Sequence, residues 1–100
     1  MAEFSVVPVG TGETSVSRYV AAAIKEIRAI KELEFEVTPM GTVMAASELD
    51  TILDAVKRAH DAVASLGAAR IISTLRIDDR RDKTRTMQDK VRAVNEKLRE

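Results

Sequence analysis

The chain has no cysteine and no tryptophan, and among its 100 residues only one histidine, four glycines and two prolines. Without cysteine there is no disulfide framework, no thiolate metal site and no cysteine nucleophile. His60, the single histidine, has no second imidazole or thiolate to share a metal with. Phe4, Tyr19 and Phe35 are the only aromatic residues, so a core must be built from Val, Ile, Leu, Ala and Met. An excess of charge is missing too: 16 Lys and Arg balance 16 Asp and Glu. That balance removes the electrostatic drive toward nucleic acid or an anionic membrane. No apolar run approaches the roughly 18 residues of a membrane span, and no basic segment followed by a long apolar run marks a signal peptide. These absences point to a soluble, cytoplasmic protein with neither nucleic acid nor membrane as partner.

What remains is ordinary globular composition, 45% apolar and 32% charged. The length predicts one domain over residues 1–100, large enough for a modest core and of a size at which oligomers are common. Glu3 to Val9 reads as a strand with β-formers on both faces, hence central, with Pro8 near its end. After the loop from Gly10 to Ser15, a helix is predicted from Val16 to Glu32, capped by Thr14 or Ser15. Glu34–Thr38 alternates as a strand with Phe35 and Val37 on one face. Pro39-Met40-Gly41 is a break, and Thr42–Ala46 is a second short strand. Ser47 caps the next helix, whose stripe runs from Leu49 to Leu66, with Asp50 near the capping-box position and Gly67 as terminator. Arg70–Asp78 is the last strand. Thr84 or Thr86 caps a final helix with a narrow stripe of Met87, Val91, Val94 and Leu98.

The order β-α-β-β-α-β-α predicts an α+β fold: a ferredoxin-like βαββαβ antiparallel sheet with two helices on one face and an extra C-terminal helix. The other sheet face carries apolar residues and needs cover. The last helix is expected to cover part of it and a second subunit the rest, through sheet faces or sheet edges. A nucleic-acid-binding domain of the same element order would stack bases on sheet aromatics, and Arg70–Asp78 has none.

Four stretches could carry chemistry. Gly10-Thr11-Gly12 follows a strand and precedes a helix, the setting in which main-chain amides hold anions. It lacks a third glycine, and Glu13 opposes a phosphate, so it reads as a capped turn. His60 falls on or beside the apolar stripe of its helix and reads as a buried or boundary residue; no orienting carboxylate faces it. Ile77-Asp78-Asp79-Arg80-Arg81-Asp82-Lys83 is a balanced charge run at a strand end, read as an ion-pair network at a chain or subunit boundary. Thr38-Pro39-Met40-Gly41-Thr42 sets two hydroxyls beside Met40 and Met44, with a glycine that permits close backbone approach. Apolar walls with few polar anchors make a small-molecule pocket. No nucleophile–base pair is visible, so no enzyme is predicted.

Val7-Pro8-Val9-Gly10-Thr11-Gly12, Ser15-Val16-Ser17-Arg18-Tyr19-Val20, Thr38-Pro39-Met40-Gly41-Thr42-Val43 and Ile77–Lys83, continued by Lys90-Val91, occur in this order over nearly the whole chain. In these motifs it resembles the small thiamine-binding protein family, especially its archaeal members. The resemblance implies a ferredoxin-like fold, association into dimers and tetramers, and non-catalytic binding of thiamine or its pyrimidine moiety near subunit contacts. No other cofactor and no metal is implied. Carried onto this sequence, the motifs make Thr42 and Ser17 the polar anchors of the pocket, with Thr11, Tyr19, Gly41 and Met40 around them. Asp79 and Arg80 would reach a neighbouring subunit, the partner being a second copy in a dimer of dimers. One departure stands out: Ala45 occupies a position where the family often has an acidic residue. Without a small ligand, the shared motifs would serve a structural or regulatory interaction module.

Overall fold

The computed structural model describes residues 1–12, 16–82 and 87–99. Along the chain these form β1 (Ala2–Val9), α1 (Ser17–Arg28), β2 (Leu33–Thr38), β3 (Gly41–Ala46), α2 (Leu49–Ser65), β4 (Arg70–Ile77) and α3 (Met87–Leu98). The strands make one antiparallel sheet in the order β2-β3-β1-β4, the α+β, ferredoxin-like arrangement that the pattern of elements predicts.

The period-2 alternation of the strands decides which face is buried. The register sets Phe4 against Thr42 and Leu75, and Ala2 against Met44 and Ile77. Phe35 pairs with Met44 and Val37 with Thr42. These residues share the face on which α1 and α2 pack. The helices contribute Tyr19, Ala23 and Ile27, and Ile52, Ala55, Ala59 and Val63, at the three- and four-residue spacings of one helical stripe. Phe4, Ile27, Met44 and Val63 are the largest fully buried side chains. Truncating one such aliphatic to alanine typically costs about 2–5 kcal/mol.

Two pairings of β1 differ in length. β4 accompanies it over eight residues, Ala2 to Val9, but β3 does so only from Ala2 to Phe4. The β2–β3 hairpin therefore ends halfway along β1, and from Ser5 onward the β3 side of β1 is open. Pro8 lies in that stretch, where a residue lacking an N–H costs no ladder bond to β3.

The helices depart from the sequence reading in three respects, two of them at boundaries. α1 ends at Arg28 rather than Glu32: Ala29 and Ile30 donate to Glu26 and Ile27, tightening the last turn, and Leu33 is then drawn into β2 against Ala46. Glu48, not Ser47, occupies the N-cap of α2 and makes no side-chain capping bond. Gly67 does terminate α2, at φ +95°, a conformation that only glycine takes without strain. Thr14 and Ser15, and Thr84 and Thr86, lie outside the described residues. For α1 the N-cap position is Val16, without a side-chain capping bond.

The third departure concerns α3. Only Met87 is buried; Val91, Val94 and Leu98 are 61%, 58% and 77% exposed, so the helix does not lay its stripe on the open sheet face. The radius of gyration, 15.1 Å, exceeds the roughly 13 Å of a compact chain of this length. No described helix is long and apolar enough to cross a membrane.

Candidate functional site

Where the hairpin stops and β1 continues, a notch opens beneath α1. It is a cavity of about 180 Å³. Its floor is Phe4 to Val7 of β1, its roof Val16, Val20, Ala23, Ile24 and Ile27 of α1, and its side wall Val37 to Thr42 of the hairpin. Pockets for drug-sized ligands run to roughly 300–1,000 Å³; this one holds a single small ring. Its described lining contains no titratable side chain. The polar groups are the Thr42 hydroxyl, on the face that the helices cover, and the main chain. Along an antiparallel strand, alternate residues present both N–H and C=O to the same side. From Ser5 onward those facing away from β4 therefore have no β3 partner, and they border the cavity.

The wall is held by the sequence of its turn. Thr38 Oγ1 donates to the Gly41 carbonyl at 2.8 Å and accepts from the Gly41 and Met40 amides at 3.2 and 3.3 Å, a threonine-closed turn. Gly41 then passes against β1: a Cβ placed there would lie 2.9 Å from the Phe4 carbonyl oxygen. Thr42 follows, 5% exposed, the one buried polar residue among those described. Its hydroxyl makes no hydrogen bond with the described residues, yet it is not sealed from solvent.

Of the residues singled out by sequence, Thr42, Gly41 and Met40 come together on this cavity, Met40 as an 85% exposed rim. Ser17 lies instead on a groove of about 560 Å³ along the outer flank of α1, with Val16, Val20, Ala21, Ile24, Lys25 and Arg28. Tyr19 is buried in the core, its hydroxyl accepting from Arg18 at 2.9 Å while that guanidinium carbon stands 4.6 Å from the ring centroid. Thr11 sits in the loop after β1, off both cavities. Ser5, Val16, Val20 and Val37 were not singled out. Their strand and helix periodicity marked them as apolar or neutral positions, and only the early end of the hairpin turns them into lining.

Ala45 pairs with Glu34 and, with Val43, points to the sheet face opposite the helices. The departure from the family pattern is thus on the open face and not in the notch. The charge run forms ion pairs, as its balance suggested. Arg80 meets Asp82 at 2.8 Å, Arg81 meets Asp79 at 2.9 Å, and Lys90 of α3 reaches Asp78. The Lys90 hydrogen bond and charge hold the Asp78 carboxyl below the usual carboxylate range, and Asp79 raises the Arg81 guanidinium. Lys83 lies outside the described residues.

His60 occupies a boundary position on α2, half-buried. Its Nδ1 stands 2.6 Å from Ser73 Oγ on β4, a contact that a spacing of 13 residues across two elements hides from sequence patterns. Neither residue lines the notch or the groove, and the bond pins helix to sheet. Among the described residues no group of three or more His, Asp or Glu is placed to hold a metal ion.

A family model described as thiamine-binding protein matches residues 2–95. A UPF0045 protein of Methanothermobacter thermautotrophicus is 46% identical over 97 residues, covering 97% of each chain. The crystal structure of a hypothetical protein from Methanocaldococcus jannaschii superposes with a TM-score of 0.85 at 42% identity, over 95% of this chain and 94% of that one. A Thermotoga maritima structure, whose name makes it a candidate thiamine biosynthesis or salvage protein, gives 0.75 at 25% identity, over 93% and 95%. Motifs, fold and relatives agree along almost the full length: the chain belongs to the thiamine-binding protein family.

Proposed function

We propose that this protein is a non-catalytic binding protein for a small thiamine-like heterocycle, held by its aminopyrimidine ring in the notch between α1, β1 and the β2–β3 hairpin. The observation that carries this reading is the pairing of a one-ring apolar cavity with the Thr42 hydroxyl, on an otherwise buried residue, which has no partner among the described residues. An aminopyrimidine is flat and apolar on its faces, with donors and acceptors only at its edge. Val16, Val20 and Ile24 would cover the faces, and Thr42 and the open flank of β1 would meet the edge. A lining without acid, base or nucleophile favours holding a ligand over transforming it. The family and the Thermotoga maritima relative's name support the same ligand class.

Isothermal titration with thiamine, its phosphates and the free aminopyrimidine tests the proposal. Saturable binding is expected for at least one of them. Thr42→Ala should weaken it by about 1 kcal/mol, the scale of one hydrogen bond. An absence of heat and of thermal stabilisation at millimolar ligand would sink the reading.

The protein is further proposed to act as a homo-oligomer, a dimer of dimers. Such an assembly needs two self-complementary surfaces, and two apolar surfaces lack cover: the open sheet face and the α3 stripe. The open face carries Glu34 and Glu36 on the β2 edge and Arg70 and Arg76 on the β4 edge, with Val43, Ala45, Val7, Ile72 and the carboxylate of Glu3 between. Two copies related by a two-fold axis would set acidic edge over basic edge. Ala45 adds no charge to the centre of that face, where Glu3 on β1 is the one carboxylate, beside Val43 and Arg76. This favours its use in subunit packing, and it leaves an interaction module without small ligand as the second reading.

A further inference from the structure

The notch does not end at its roof. Val16, Val20 and Ile24 line both the inner cavity and the outer groove along α1, so the two are neighbouring spaces on either side of one helical ridge. The far part of the groove is lined by Lys25 and Arg28. At a spacing of three they are surface neighbours, and Arg28 stands one turn beyond Ile24. Helical side chains lean toward the N-terminus, so both cations project back over the turn that adjoins the cavity.

Their ordinary role in a last helical turn is to complement the helix dipole. Three observations add to that. Neither forms an ion pair or hydrogen bond with any described residue. No carboxylate is among the described residues of groove or notch. Both front a space that a ligand leaving the notch would enter. The other cavity with arginines, between the N-terminus of α2 and the end of β4, differs on each count: Arg80 and Arg81 are already paired, and Glu48, Asp78 and Asp79 line it with them.

We infer that the groove is the arm of the same site for an anionic substituent, and that the protein prefers a phosphate ester of the heterocycle over the neutral alcohol. This rests on the binding function proposed above and specifies its ligand class. Two adjacent cations suit the charge of a phosphoryl group joined to the ring through one methylene and one oxygen.

The test is titration of the intact protein, at low and moderate salt, with the hydroxymethyl aminopyrimidine of thiamine and with its phosphate ester. The ester is expected to bind about tenfold more tightly, the effect of one or two exposed charge-assisted contacts, with the advantage shrinking as salt screens it. Lys25→Gln combined with Arg28→Gln should abolish the preference and leave affinity for the alcohol unchanged. Because both positions are exposed, the variant should fold as the parent does, with thermal unfolding lowered only by the small loss of helix-dipole complement. Equal affinity of the parent for alcohol and ester overturns this inference and leaves the binding function standing. A preference that survives the double substitution also overturns it, by placing the phosphate elsewhere, for example on the first-turn amides of α1. If neither compound binds, this inference falls, and the binding function falls with it only if thiamine and its phosphates also give no heat.

Discussion

Gly41 and Thr42 are adjacent and do opposite things. Gly41 matters for what it lacks: an added methyl would sit 2.9 Å from the Phe4 carbonyl oxygen, which cannot swing aside as a side chain would. Gly41→Ala should therefore push the hairpin off β1, at a cost of about 1–3 kcal/mol, as for an overpacked core. A lowered urea midpoint with unchanged m-value is the expected signature. Thr42 matters for a hydroxyl that the fold itself does not use. Thr42→Val, of nearly the same shape, should keep the stability of the parent or raise it, while ligand affinity falls as in Thr42→Ala. A variant destabilised by more than about 1 kcal/mol would mean that the hydroxyl serves the fold. This part of the site was legible in Thr38-Pro39-Met40-Gly41-Thr42 because turn chemistry is local. The His60–Ser73 contact was not, because a hydrogen bond between helix and strand leaves no periodic trace.

Among the elements, α2 and α3 are tied to β4 in different ways, α2 at its middle and α3 just past its end. α2 is held by its apolar stripe and by the His60–Ser73 bond. Ser73→Ala should lower stability by about 1 kcal/mol, read by thermal or urea unfolding. α3 buries only Met87 and reaches Asp78 through Lys90. Because Lys90 depresses the Asp78 pKa, the pair's contribution is complete above the ordinary carboxylate range and is lost as pH falls through the lower, folded value. Amide resonances of α3 should hence stay constant from neutral pH into mild acid and shift only below the usual carboxylate range. Asp78→Asn should remove that acid transition. The stripe of α3 was readable as a four-three spacing. That it would find no cover within the chain was not, because spacing tells which face is apolar and not what lies opposite it.

For the whole molecule, hydrophobic period and turn residues were enough to order the elements and assign the α+β fold. Each strand face follows from alternation, and each helix from one stripe. The notch was beyond that reading, since it arises from a difference in strand lengths: β1 pairs over eight residues on one side and three on the other. The proposed stacking of sheet faces makes its own prediction. Glu34→Lys with Glu36→Lys should weaken self-association, as should Arg70→Glu with Arg76→Glu. Mixing the two variants should restore it, because each then presents to the other a complementary edge. Sedimentation velocity of the single preparations and of the mixture reads this directly. A parent protein that is strictly monomeric at micromolar concentration would rule out the assembly.

Tyr19 gives the fold an optical property. The chain has no tryptophan and one tyrosine, and that ring is 3% exposed, with Arg18 beside it, on the helix that roofs the notch. Apart from the weak emission of Phe4 and Phe35, intrinsic fluorescence therefore comes from one residue, seated one turn from Ala23 and Val16 of the cavity wall. The Arg18 guanidinium is bonded to its hydroxyl and lies close to its ring. Any shift of α1 that accompanies occupation of the notch should change that emission, so the unlabelled protein carries its own reporter of the state of its site.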